Sequence, residues 1–123
     1  MKIVRTAAAL LLASTFAATA LAAATPLSPA EIKATFGTGK PFTANSTTGG
    51  ASFTFVLKPD GSATQTSKGA TASVVTGMWR VNDKGYCSKW GGNAEHCYTV
   101  EKNGTRYDVK DAAGHIISRW TLP

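Results

Sequence analysis

Hydrophobic residues follow three different patterns along this chain. The first is a continuous apolar run from Ala7 to Ala13, extended by small residues to Ala24. Lys2 and Arg5 precede it, and no acidic residue occurs before Glu31. A basic start, a short apolar middle and Ala-x-Ala ends at Ala20, Ala22 and Ala24 are the marks of a secretory signal peptide. Cleavage after Ala22 or Ala24 is favoured, because Pro26 follows and the chain turns polar. A retained membrane span needs about 20 strongly apolar residues, and Ser14, Thr15 and Thr19 dilute this stretch. Residues 1–24 are therefore expected to be a leader and 25–123 a single small β domain.

The second pattern is brief and helical. In Ser28-Pro29-Ala30-Glu31, Ser28 can cap, Pro29 suits the first helical position and Glu31 completes a capping box. Ala30 to Phe36 make about two turns, with Ile32 and Phe36 on one face. Gly37 is a natural stop. So short a helix needs a surface to pack on. The segment from Gly37 to Ala51, rich in Gly, Thr and Ser, reads as an irregular loop in preference to a ragged first strand.

From Ser52 the period is two. Phe53, Phe55 and Leu57 alternate with polar neighbours, and Lys58-Pro59-Asp60-Gly61 follows as a turn. Ser62 to Ser67 is polar on both faces and reads as an exposed or edge strand. Ala72 to Val81 is the strongest strand, with Val75, Gly77, Trp79 and Val81 on one face. Gly77 there signals a bulge or a close neighbour. Further strands are expected over Tyr86 to Trp90, His96 to Glu101, Arg106 to Lys110 and His115 to Leu122. Ile116, Trp120 and Leu122 are expected to share a face in the last of these. Asn103-Gly104 is a hairpin signal. The expected fold is mainly β: an antiparallel meander of about seven strands with one short N-terminal helix. It closes as a curled sheet or a small up-and-down barrel.

Charge and cysteine usage narrow this picture. The chain has 123 residues and a formal charge of +6. Lys2 and Arg5 are two of its 13 basic residues, and all seven acidic residues lie beyond the leader. Loss of the leader therefore brings the charge to +4. That balance favours anionic surfaces in general and, with its lysines scattered, argues against nucleic acid. Only Cys87 and Cys97 are present. An even count in an exported chain reads as a disulfide. Pairing about a turn near Gly92 would set the two cysteines opposite each other on neighbouring strands. A metal or redox pair would need Cys-x-x-Cys spacing or a third ligand.

Pro59-Asp60-Gly61, Gly77-Met78-Trp79-Arg80-Val81, Cys87-Ser88-Lys89-Trp90 and Cys97-Tyr98 together resemble a DUF995-like family of exported proteobacterial proteins. The resemblance runs from about Ile32 to Gly114. It implies a secreted β domain and brings no catalytic residues.

Candidate chemistry is sparse. His96 and His115 are the only histidines. Either could serve a small hydrolase or a metal site with Glu95 or Asp111, but both read more simply as surface groups. No serine sits in a nucleophile motif, so no catalytic residue is assigned, and neither a metal nor a cofactor is expected. Trp79 and Trp120 fall on apolar faces and read as core. Trp90 borders Gly91-Gly92 beside Lys89 and reads either as a cover for the disulfide or as a rim aromatic. The expectation is a non-catalytic, periplasmic or secreted protein that binds an envelope, protein or glycan partner through Lys89, Trp90, Asn93 and His96. The alternatives are the histidine-based activity and a purely structural envelope component.

Overall fold

The computed structural model describes residues 24–69 and 71–123; the expected leader lies outside them, apart from its last residue. The chain runs β1 (Thr25–Pro26), α1 (Pro29–Phe36), β2 (Phe42–Ser46), β3 (Ser52–Leu57), β4 (Ser62–Ser67) and β5 (Val74–Val81). It continues through β6 (Tyr86–Trp90), β7 (His96–Asn103), β8 (Arg106–Lys110) and β9 (Ile116–Thr121). Each strand from β2 to β9 pairs antiparallel with the next, and β9 returns to β2. The sheet is thus an eight-stranded up-and-down barrel, with β1 added beside β7. Closure removes the open edges that a seven-stranded curled sheet would leave.

The strand count exceeds the expectation by two, β1 outside the barrel and β2, which completes it. The β2 sequence, FTANS, has little intrinsic strand character. It becomes a strand because both its neighbours hold it: Phe42 faces Phe55 on β3, and Ala44 faces Trp120 on β9. The polar β4 is likewise no edge, since it pairs with both β3 and β5 and turns Ala63 inward.

The helix forms as its sequence dictates. Ser28 Oγ accepts the Glu31 N–H at 3.1 Å, Glu31 Oε1 accepts the Ser28 N–H at 3.4 Å, and Gly37 ends the helix. Ile32 and Phe36 are fully buried against the barrel. The Phe36 ring meets Phe42, Tyr107 and Trp120 at centroid distances of 4.8–4.9 Å. Trp120 also stacks near Tyr86 and Phe55. These rings fill the lumen. Edge-on and tilted contacts of this kind add to the burial of each aromatic.

Two register features shape the wall. Gly77 is a close approach: a Cβ there would stand 2.3 Å from the Lys89 carbonyl oxygen and 2.7 Å from the Trp90 ring. A bulge at Val109/Lys110 makes Lys110 pair with Ile116. Ile117, beside this bulge, packs on the core, while Leu122, expected on the inner face, lies beyond the end of β9 and is exposed. At the β7–β8 hairpin, Asn103 pairs with Arg106, so the tip is Gly104-Thr105 with φ +66° at Gly104. A glycine in the first position of a two-residue hairpin tolerates that angle at no steric cost.

Candidate functional site on the barrel wall

Tyr86, Ser88 and Trp90 turn inward on β6, so Cys87 and Lys89 turn outward. Cys87 pairs with Cys97 across the β6–β7 hairpin, and the two are joined by a disulfide with Cα atoms 3.9 Å apart. The bridge lies on the outer wall, with Cys87 fully buried beneath it and Cys97 exposed. Asn82 Nδ2 donates to Cys87 Sγ at 3.4 Å.

Arg80 lies opposite Cys87 on β5 and reaches across the bridge to Glu95. Its Nη2 donates to Oε1 at 2.7 Å and its Nε to Oε2 at 3.1 Å. This fork holds the Glu95 carboxyl below the ordinary carboxylate range through its hydrogen bonds and charge, with Lys89 adding to the effect. Two large apolar side chains project from the same outer face of β5: Val74 is 64% exposed and Met78, opposite Lys89, is 67% exposed.

The four residues expected to form a contact surface all lie on the β6–β7 hairpin and face different ways. Lys89 is on the outer wall. Trp90 is half-buried and packs inward on Phe55 at 5.3 Å and against Gly77. Asn93 belongs to the turn, where its N–H donates to the Trp90 carbonyl at 3.1 Å. His96 opens β7 opposite Ser88 and is exposed.

A second set of residues lines one groove. Strand β7 pairs with β6 only through His96–Tyr98, then with β8 through Thr99–Asn103. This stagger leaves a groove of about 390 Å³ across β7. Its floor is Cys97, Tyr98 and Thr99; the Asn82 turn with Lys84 forms one bank, and Asp111, Ala112 and Gly114 form the other. Both banks are rigid for local reasons. Asn82 Oδ1 accepts the N–H groups of Lys84 and Gly85 at 3.0 and 2.7 Å. Asp111 Oδ1 accepts those of Ala113 and His115 at 3.0 and 2.9 Å. Side-chain-capped turns of this kind hold backbone geometry without tertiary help. The backbone hydrogen bond from His115 leads the causes that keep the Asp111 carboxyl below its ordinary range. Partial burial, and then the Asp111 charge, push the Tyr98 phenol up, so it stays protonated and able to donate at neutral pH. Lys84, Tyr98 and Thr99 thus offer a cation, a phenol and a hydroxyl to one groove. A second hollow, of about 240 Å³, lies at Pro41, Phe42, Thr43, Thr54 and Pro123 and contains no ionisable side chain.

Of the two histidines, His96 is exposed at the start of β7 and His115 adjoins the groove through Asp111. The His115 side chain is 79% exposed, with Nδ1 3.5 Å from Asp111 Oδ2. Among the described residues, the cluster with three potential metal ligands is Cys87, Glu95 and Cys97. Its sulfurs are joined to each other, and its carboxylate is held by Arg80. No described helix is long and apolar enough to cross a membrane.

No protein-family model, curated protein or solved structure matches this chain.

Proposed function

We propose that the chain is exported, loses its leader at Ala22 or Ala24, and acts outside the cytoplasm as a non-catalytic binding protein. Its partner is an envelope component, a protein or a glycan, met through the β7 groove. The observation that carries this reading is the aromatic packing of Phe36, Phe42 and Trp120, which fills the lumen. A barrel filled in this way presents its chemistry on the wall rather than inside. The disulfide supports residence in an oxidising compartment. The resemblance to exported proteobacterial proteins points the same way.

Two experiments test the proposal. Mass spectrometry of protein recovered outside the cytoplasm should show loss of the residues up to Ala22 or Ala24; an intact leader would overturn export. Binding is tested by cosedimentation with isolated cell-wall glycan and with outer-membrane vesicles, and by cross-linking to solubilised envelope proteins. Wild type should be retained on one of these, and Thr99→Arg, which fills the groove from its floor, should not. Equal retention of both proteins on every fraction would exclude the groove as the contact.

A further inference from the structure

A separate feature lies on the outer wall of β8 and β9. Asp108 is only 2% exposed although its side chain points away from the lumen, between inward-facing Tyr107 and Val109. What covers it is arginine. Arg119 is its cross-strand partner, and Arg106 precedes it by two residues on the same face of β8. The Nε atoms of Arg106 and Arg119 both stand 3.5 Å from the same oxygen, Asp108 Oδ1. Asn103 Nδ2 donates to the other oxygen at 3.1 Å and fixes the plane of the carboxylate.

This is a poor design for a closed ion pair. One carboxylate neutralises one guanidinium, and here two face it. Neither is aligned for a hydrogen bond: Oδ1 and Arg119 Nε are shielded from solvent and make none to protein. The neighbouring Glu101 is engaged by Lys110 at 2.9 Å, so it does not supply the missing charge. Meanwhile the Arg106 and Arg119 side chains are 46% and 41% exposed. Each has turned its Nε edge toward Asp108. The Nη groups make no hydrogen bond with another described residue. A guanidinium presents its donors as a planar fork suited to bidentate contact with an oxyanion. Two such forks side by side, with one uncompensated positive charge, match a tetrahedral oxyanion better than a carboxylate, which has only two oxygens.

We propose that Arg106 and Arg119 form a phosphate-binding site on the outer wall, with Asp108 as the positioning residue that aligns them. The site takes the phosphoryl oxyanion, either free or on a lipid headgroup. It stands independently of the β7 groove, and each could fail without the other.

The test uses the full mature chain at low ionic strength. Inorganic phosphate is titrated calorimetrically, and vesicles of phosphatidylglycerol in phosphatidylcholine are compared with vesicles of phosphatidylcholine alone. Arg106→Ala and Arg119→Ala should each weaken phosphate binding about tenfold or more, as loss of a charge-assisted bidentate contact requires. The double variant Arg106→Lys/Arg119→Lys keeps the charge and guards against unfolding; it should also bind more weakly than wild type, because the forks are gone. Lys40→Ala removes one positive charge elsewhere and should bind phosphate as wild type does. If the arginine variants lose phosphate and the anionic vesicles together, the source is a headgroup; if they lose phosphate and wild type ignores the vesicles, it is the free anion. Phosphate binding that is absent in wild type, or equal in wild type and the lysine double variant, overturns the site.

Discussion

Replacing Cys97 by alanine is the cleanest way to weigh the disulfide. Cys97 is exposed, whereas Cys87 is fully buried, so Cys97→Ala removes the bridge and leaves the buried sulfur in its packing. The bridge stands outside the aromatic core cluster, so its loss opens no cavity there. The cysteines are ten residues apart, and the chain-entropy relation for a loop of that length gives about 2.7 kcal/mol at 25 °C. For a domain of about 100 residues this lowers the unfolding midpoint by roughly 10–20 °C. Stability of such a domain is about 5–15 kcal/mol, so the variant should still fold. The bidentate Arg80–Glu95 contact also remains to hold the hairpin in register. Urea unfolding followed by tryptophan fluorescence, with reduced wild type alongside, measures the loss. The slope with denaturant should rise slightly, because the unfolded chain loses a constraint. A loss below about 0.5 kcal/mol would show that the bridge does not restrict the unfolded chain as the loop-length argument requires. Failure to fold at all would show that the hairpin has no other support.

Three further outcomes follow from the packing and the turns. Gly77→Ala forces a Cβ against the Lys89 carbonyl and should cost about 1–3 kcal/mol by overpacking, read as a lower urea midpoint; an unchanged midpoint would mean that β5 and β6 separate freely. Phe36→Ala empties the centre of the ring cluster and should cost about 3–5 kcal/mol, with a changed near-ultraviolet circular dichroism spectrum; a loss under about 1 kcal/mol would deny the helix its role as plug. Asp60, Glu95 and Asp111 all have folded-state values depressed below their ordinary 3.8, 4.5 and 3.8. The stability they contribute is complete above those values and is lost as pH falls through the depressed ones. The thermal unfolding midpoint should therefore fall progressively below about pH 4.5. Asp111→Asn keeps the acceptor for Ala113 and His115 but not the charge, so its acid profile should be shallower; superimposable profiles would refute that role for Asp111.

What could be read from the sequence was whatever depends on local pattern. The capping box at Ser28 and Glu31 formed because its donors and acceptors are three residues apart. The cysteine register followed from a glycine turn lying midway between them. The chain did not announce β2, since FTANS becomes a strand only through neighbours that are distant in sequence. Trp90, read as a rim aromatic or a cover for the disulfide, lies on the face opposite the disulfide for a related reason. Its position beside Gly91-Gly92 suggests a rim, but the alternation from Tyr86 through Ser88 carries it inward. The groove residues Asn82, Lys84, Tyr98 and Asp111 are each visible as turn or strand residues. Only the handover of β7 from β6 to β8 brings them together, and stagger around a closed barrel leaves no local signature. Arg106 and Arg119 meet at Asp108 for the same reason.

The seam between β2 and β9 has a kinetic consequence. Every other pairing in the barrel joins consecutive strands and can form as a local hairpin. This one joins residues 43–46 to residues 118–121 and brings Trp120 against Phe36 and Phe42. Closing so long a loop is the slow, entropically opposed event in the assembly of such a topology. A chain emerging N-terminus first therefore cannot finish its core until its last strand is free. Until β9 pairs with β2, the hairpins surround a centre that lacks Trp120.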